Sequence, residues 1–384
     1  MNSASLPLPP PEALHFSNLL QRRIQQEIQA QGGSIPFSRY MEMVLYTPDL
    51  GYYSGASQKF GQDGDFVTAP EMSPLFARML ARQIAQVLHT TGGSVLELGA
   101  GSGQLAMTLL PELERLDCLP EAYCVLEVSA SLRALQQARL QEALPAHLFS
   151  RLVWLEHLPQ AFIGVMIGNE VLDAVPVELV INTEHGCLMR GVAWQDGFVW
   201  CERPLSPGLL SLLAGLDLPI GYITEVSPAV QGLVASLAAM LHQGALILID
   251  YGFPAREYYH PQRSEGTLMC HYRHHAHGDP FLYPGLQDIT AHVDFSAVAN
   301  TAMAAGATLA GYATQAQFLI NCGITDALAE VSPADTVAYL PLVAQAQKLL
   351  SPAEMGELFK VIAFSQGHVP ALLGFAHGDK RHVL

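Results

Sequence analysis

The chain has 384 residues, enough for a domain of about 250 residues with additions. Half of the residues are hydrophobic and only 14% are charged, so a large buried core is expected and a mostly disordered chain is excluded. The net charge of −16, with no Lys/Arg cluster, argues against a general nucleic-acid binder, which needs a basic face against phosphates.

No apolar run is long enough for a membrane span. The six cysteines, at 118, 124, 187, 201, 270 and 322, lack C-x-x-C spacing, and several lie in apolar runs. That suits a reducing compartment and neither a zinc site nor a disulfide frame. The N-terminus, with Pro7 and Pro9-Pro10-Pro11, has neither signal-peptide nor transit-peptide character, so cytoplasmic residence is the expectation.

In chain order, residues 1–12 read as a mobile, proline-rich tail and residues 16–31 as a helix. Residues 36–90 mix helix with glycine-rich aromatic loops, Gly51-Tyr52-Tyr53-Ser54-Gly55 and Gly61-Gln62-Asp63-Gly64-Asp65-Phe66. They are too apolar for a linker and read as a folded cap, or more sharply as a lid over a ligand. From residue 94 strands alternate with helices: strand 94–98, helix 104–116, strand 122–127, helix 129–142, then strands 151–155 and 162–168. This alternation predicts a parallel, doubly wound sheet. Val177–Ile181, Cys187–Trp194 and Gly197–Arg203 then read as antiparallel strands inserted after the fourth strand. Helix 228–242 and the strand Ala245–Asp250 resume the alternation. Residues 255–300 are loop-rich and hold six of the fifteen histidines. Strand 307–312, helices 314–321, 333–350 and 352–357, and strand 359–364 close the chain. The expected division is a tail and cap over 1–90 and a main domain over 91–384, with insertions at about 176–204 and 255–300.

The run Val95-Leu96-Glu97-Leu98-Gly99-Ala100-Gly101-Ser102-Gly103 is the most informative segment. It reads as a strand, a tight turn and a helix start, with glycines letting a ligand lie against the main chain. The spacing is G-x-G-x-G, not the dinucleotide G-x-G-x-x-G. An acid just before the first glycine suits a cationic ligand rather than a pyrophosphate. S-adenosylmethionine, with an ammonium and a sulfonium and no phosphate, fits that reading. A second apolar run, Tyr123-Cys124-Val125-Leu126-Glu127, ends in an acid placed to accept ribose hydroxyls. Taken separately, the loop reads as a plain turn and Glu127 as a solvated carboxylate.

Ligands of open α/β sheets sit outside the carboxyl ends of the strands, so the reacting group belongs after the fourth strand. There the chain reads Gly168-Asn169-Glu170-Val171-Leu172-Asp173-Ala174-Val175-Pro176-Val177-Glu178. The plain reading is a turn with capping acids. The chemical reading is a clamp for a cationic nucleophile, because a planar guanidinium matches carboxylates bidentately. Carboxylates there can orient the guanidinium, localise a nitrogen lone pair and take the released proton. The His-rich run His271-Tyr272-Arg273-His274-His275-Ala276-His277 lacks metal-ligand spacing, and no metal is expected. Pro284–Phe295 gathers Asp288, Thr290, His292 and Asp294 behind a turn signal. It reads either as a capped helix start or as part of a substrate mouth, with His292 as proton acceptor. No G-x-S-x-G elbow or Walker A sequence supports a serine hydrolase or P-loop enzyme.

These segments resemble the MidA-like family of S-adenosylmethionine-dependent methyltransferases. The resemblance runs from about Ile35 to the C-terminus and is carried by Ile35–Met41, Tyr46–Tyr53, Gly64–Pro74, Glu97–Gly103, Asn169–Pro176, Ile249–Gly252 and Asp288–Phe295. It implies an α/β class I methyltransferase fold, a Rossmann-like doubly wound sheet with an N-terminal helical and loop cap. It implies S-adenosyl-L-methionine as cofactor, held by Glu97, Gly99, Gly101, Gly103, Glu127 and Asn169, with Glu170 and Asp173 at the reacting end. For the mitochondrial branch it implies symmetric dimethylation of an arginine on a respiratory complex I subunit. The expectation is therefore a protein arginine methyltransferase with a protein partner. The competing readings are a methyltransferase for a small molecule, one for another protein side chain, and a non-catalytic assembly factor that binds the donor.

Overall fold

The computed structural model describes residues 6–55 and 68–384. The expected loop at residues 61–66 lies outside these, as do the first five residues of the expected tail. The chain forms two compact units, each assembled from three stretches. One comprises Met1–Phe66, Asp173–Gly232 and Arg256–His292; the other comprises Val67–Leu172, Leu233–Ala255 and Val293–Leu384. These limits differ from the division expected at residue 90. Helix Pro74–Thr91 belongs to the second unit, where Leu80, Ile84 and Val87 lie in one core with Val165 and Ile167.

The second unit is built on a long sheet. Its strands are β1 (Ser94–Leu98), β2 (Tyr123–Leu126), β3 (Leu152–Leu155), β4 (Phe162–Asn169), β5 (Leu241–Phe253), β6 (Thr308–Thr314) and β7 (Phe359–Gln366). Their order is β6-β7-β5-β4-β1-β2-β3. Strands β1 to β5 are parallel, and β7 runs antiparallel to both β5 and β6. A short strand, Val293–Asp294, adds alongside Gly252–Phe253. Both faces are covered over Val165–Ile167 of β4 and Ala245–Ile249 of β5, which is why these stretches are apolar with no alternation. From β1 the chain proceeds to β2 on one side, and from β4 to β5 on the other. The carboxyl ends of β1 and β4 therefore flank a topological switch point, where open α/β sheets bind ligands.

Local signals set the helices of this unit. Ser73 caps Pro74–Thr91 by accepting from Leu75 N (3.2 Å), with proline in the first turn and Gly92 at φ 61° after the end. Ser129 caps Ala130–Ala143 by accepting from Leu132 N (3.2 Å). Asp294 caps Phe295–Ala304 through Ser296 N and Ala297 N, so the capped-helix reading holds for Asp294. Asp335 caps Thr336–Leu350, which is preceded by a separate helix, Ile324–Ala329, that the pattern did not distinguish. No helix forms over 352–357: Gly356 N bonds back to Ser351 O (2.9 Å) and closes a turn.

The first unit begins with helix Pro11–Ala30, five residues earlier than its apolar period, because proline suits the first helical position and Glu12 the N-terminal dipole. The helix buries Leu20, Ile24 and Ile28. A mostly antiparallel arrangement orders Ser34–Pro36, Gly186–Trp194, Glu178–Thr183 and Ile223–Val226, with Phe198–Arg203 also pairing Gly186–Trp194. Phe37, Tyr40, Met41, Leu179 and Val192 share its core. The His-rich run forms the hairpin of Met269–Tyr272 and His275–His277, turned by Arg273 and His274 at φ 46° and 63°. Among the described residues no helix is long and apolar enough to cross a membrane.

Candidate functional site

In the second unit, the glycine loop leaves β1 with all three glycines left-handed: Gly99 at φ 58°, Gly101 at 53° and Gly103 at 83°. Side chains disfavour that region, and the loop turns tightly enough to start helix Gln104–Arg115 at once. A Cβ on Gly99 would stand 3.3 Å from Val171 Cγ2, so the turn after β4 abuts this loop.

Two buried carboxylates end the neighbouring strands. Glu97, in β1, accepts from Tyr123 Oη (2.7 Å). Burial raises its pKa to about 7, opposed by the Tyr123 hydrogen bond and assisted by the Glu127 charge. Glu127, just beyond β2, accepts from Ser129 N (2.9 Å) and Gln136 Nε2 (3.1 Å); burial pushes it up against these two donors. Gln136 Nε2 also donates to Gly101 O (2.9 Å), and Gln136 Oε1 accepts from Trp154 Nε1 (3.1 Å). One fully buried glutamine thus ties the glycine loop to the second acid. The sequence reading missed Gln136. Its signal was present, since Leu132, Gln136 and Leu140 recur every fourth residue on the buried face of their helix.

A second missed contact lies on the other side of the loop. Ser102 Oγ donates to Glu71, in the short helix Ala69–Met72, and Arg139 Nη1 donates to Ser102 O (3.2 Å). The same helix reaches the turn after β4, where Ala69 N donates to Glu170 Oε1 (3.4 Å).

Asn169 ends β4, and its Nδ2 donates to Glu170 Oε1 (3.1 Å). Asn169 Oδ1 is buried and accepts no hydrogen bond among the described residues. Glu170 is left-handed at φ 53°, an uncommon conformation for a non-glycine residue, with its amide bonded to Ile249 O (2.9 Å). The next two amides, of Val171 and Leu172, donate to Asp250 Oδ2 (3.1 and 2.8 Å).

Asp173 and His292 belong to the first unit. Asp173 is buried, and its carbonyl accepts from Ala291 N (3.0 Å), one residue before His292. The His292 amide donates to Thr267 Oγ1 (3.0 Å), and Thr267 donates through N and Oγ1 to the buried Glu225 (2.8 and 3.0 Å). Asp288 accepts from Tyr53 Oη at 3.0 Å. Glu178 opens strand Glu178–Thr183 and accepts from Ser38 Oγ (2.6 Å). The structure therefore brings Glu97, the three glycines, Glu127, Asn169 and Glu170 to the strand ends of one unit. It joins Asp173 to the His292 segment through the main chain of the other.

Glu97 gives this site a pH signature. Its folded pKa of about 7 exceeds the ordinary 4.5, so between those values the folded chain keeps a proton that the unfolded chain has lost. The stabilisation is complete below pH 4.5 and is lost as pH rises through about 7, an amount on the order of 3 kcal/mol. Urea unfolding across pH 4.5–8 should show a steeper loss of stability in the wild type than in Glu97→Gln. Superimposable profiles would contradict the assignment.

A family described as "Putative S-adenosyl-L-methionine-dependent methyltransferase" matches residues 79–313. The chain is similar to a Burkholderia thailandensis protein whose crystal structure holds S-adenosyl-homocysteine, with 53% identity, a TM-score of 0.95, and coverage of 99% of this chain and 100% of that one. It is also similar to the rat protein named "Protein arginine methyltransferase NDUFAF7, mitochondrial", at 28% identity over 92% of this chain and 86% of the relative. The corresponding Drosophila melanogaster homolog is 27% identical over 92% of this chain and 85% of its own length.

Proposed function

The chain belongs to this family of S-adenosyl-L-methionine-dependent methyltransferases, and from that premise we propose that it methylates arginine side chains of a protein. The residues present fit the donor. Asn169 Oδ1 is a buried acceptor in need of a donor, and the three left-handed glycines carry no side chain to keep a ligand from the main chain. In this reading Glu127 accepts the ribose hydroxyls, Glu97 faces the donor's cationic end, and Gly99, Gly101 and Gly103 line its path. The bound donor supplies an electrophilic methyl on a sulfonium.

The observation that carries the arginine reading is Glu170. Its carboxylate is held immediately beyond β4 by Asn169 and the Ala69 amide, in the turn whose next residue, Val171, abuts the glycine loop at Gly99. A carboxylate fixed there can accept two guanidinium N–H groups and hold one nitrogen in line with the methyl. The family resemblance adds Asp173 as a further acid and His292 as proton acceptor to this proposal. The name carried by the rat and Drosophila relatives supports the same acceptor. The family resemblance extends the proposal to a subunit of respiratory complex I as partner, met in the cytoplasm.

The test is mass spectrometry of proteins from cells with and without the gene, grown on isotopically labelled methyl donor. A methylarginine peptide present only with the gene is the expected result. Gene-dependent label confined to lysine or to a small metabolite would overturn the substrate class.

A further inference from the structure

Beyond β4 the sheet ladder stops at the Asn169–Ile249 pair, and the main chain turns through Glu170 in a conformation that an L-residue adopts only under constraint. Two features supply the constraint. Ile249 O accepts the Glu170 amide at 2.9 Å. The next residue of β5, Asp250, accepts from Val171 N (3.1 Å) and Leu172 N (2.8 Å) through one carboxylate oxygen, and from Tyr251 N (2.9 Å) through the other. Asp250 is 1% exposed, and its carboxylate accepts from these three main-chain amides. The held residue Val171 is the one that abuts the glycine loop at Gly99.

We propose that Asp250 is a positioning residue for methyl transfer: by gripping the two amides after Glu170 it sets the distance and direction of the Glu170 carboxylate relative to the donor loop. The inference rests on the acceptor-binding role assigned to Glu170. Asp250 itself touches neither donor nor acceptor; it acts through the turn. A capping aspartate on a helix would be replaceable by any acceptor. Here the captured amides belong to a strained turn, so a displacement of the carboxylate displaces Glu170.

The experiment compares Asp250→Asn, Glu170→Gln and the double variant. Each is assayed with tritiated S-adenosylmethionine and the soluble protein of cells lacking the gene, with S-adenosylhomocysteine affinity measured by calorimetry. Asp250→Asn keeps one acceptor oxygen and turns an NH2 donor either on the two turn amides or on Tyr251 N, so the grip on the turn is weakened. It should keep S-adenosylhomocysteine affinity and the KM for donor within about threefold while kcat falls at least about thirtyfold. Amide hydrogen exchange at Val171 and Leu172 should accelerate. The double variant should be no slower than Glu170→Gln alone, since both act on one carboxylate. Asp250→Glu keeps the charge but shifts it by one methylene; it should fold and lose kcat at least about tenfold. An unchanged kcat in Asp250→Glu overturns the proposal, as does a double variant whose losses multiply. A Glu170→Gln variant as fast as the wild type overturns the role of Glu170 instead, whatever Asp250→Asn does.

Discussion

Gly101→Val is expected to abolish binding of S-adenosylmethionine and leave the chain folded. Gly101 occupies φ 53° in the middle of the loop, and its carbonyl is held by Gln136 Nε2 at 2.9 Å. Forcing an L-residue into the left-handed region costs about 1–2 kcal/mol per residue, and a β-branched one is a sharper outlier. Against a domain stability of about 5–15 kcal/mol that cost is tolerable. The ligand side is not. In the proposed site a branched side chain would stand where the donor lies against the main chain, and relief by a backbone shift would break the Gln136 bridge to Glu127. Glu127→Ala is the milder companion. It removes the acceptor proposed for the ribose and leaves Ser129 N and Gln136 Nε2 without their carboxylate, so affinity should weaken by roughly 1–3 kcal/mol. Calorimetric titration measures both. Unchanged affinity in the two variants would place the donor elsewhere.

The sequence carried the frame of this site because three buried acids share one local signature. Glu97, Glu127 and Asp250 each sit at or near the end of an apolar strand, where a charge interrupts a run that is otherwise core. Strand ends at the switch point are the one part of a doubly wound sheet where a buried acid has a ligand or an amide to meet. The limits of β1 to β4 were legible for the same reason: continuous apolar runs bounded by glycine, proline or acid. What the sequence lacked was the partner of each acid. Gln136 lies nine positions after Glu127, and only the helix phase brings it back to the loop. The turn amides that meet Asp250 are 79 and 78 residues away, and backbone donors leave no trace in side-chain composition. The first unit was legible in its elements, the inserted antiparallel strands and the N-terminal helix, but not in its assembly. Its sheet joins Ser34–Pro36 to Gly191–Ala193, and its stretches come from three separate parts of the chain. An insertion reads as an interruption until its pairing is seen. The His-rich run illustrates the limit. Its sequence read as a loop without metal-ligand spacing, and nothing in it announced a hairpin whose turn is set by Arg273 and His274.

Glu170→Gln is expected to reduce methyl transfer at least about a hundredfold with donor affinity preserved, because glutamine keeps the shape and removes the charge. The carboxylate is the group that receives the acceptor's cation in the proposed clamp. A desolvated guanidinium left short of its partner costs about 2–5 kcal/mol, and a hundredfold loss corresponds to about 2.7 kcal/mol at the barrier. The turn itself should survive, since its amides are held by Ile249 O and Asp250 and not by the Glu170 side chain. Asp173→Asn is expected to show a loss of the same order, as the second acid three positions further along. Glu178→Gln should lose far less. Glu178 opens a sheet strand, paired with Val226, and its carboxylate takes a hydrogen bond from Ser38. The assay uses tritiated S-adenosylmethionine with an arginine peptide or the partner found by mass spectrometry. Turnover near wild type in Glu170→Gln would remove the clamp. Equal losses in Glu170→Gln and Glu178→Gln would show that charge at large, and not the turn after β4, governs the rate.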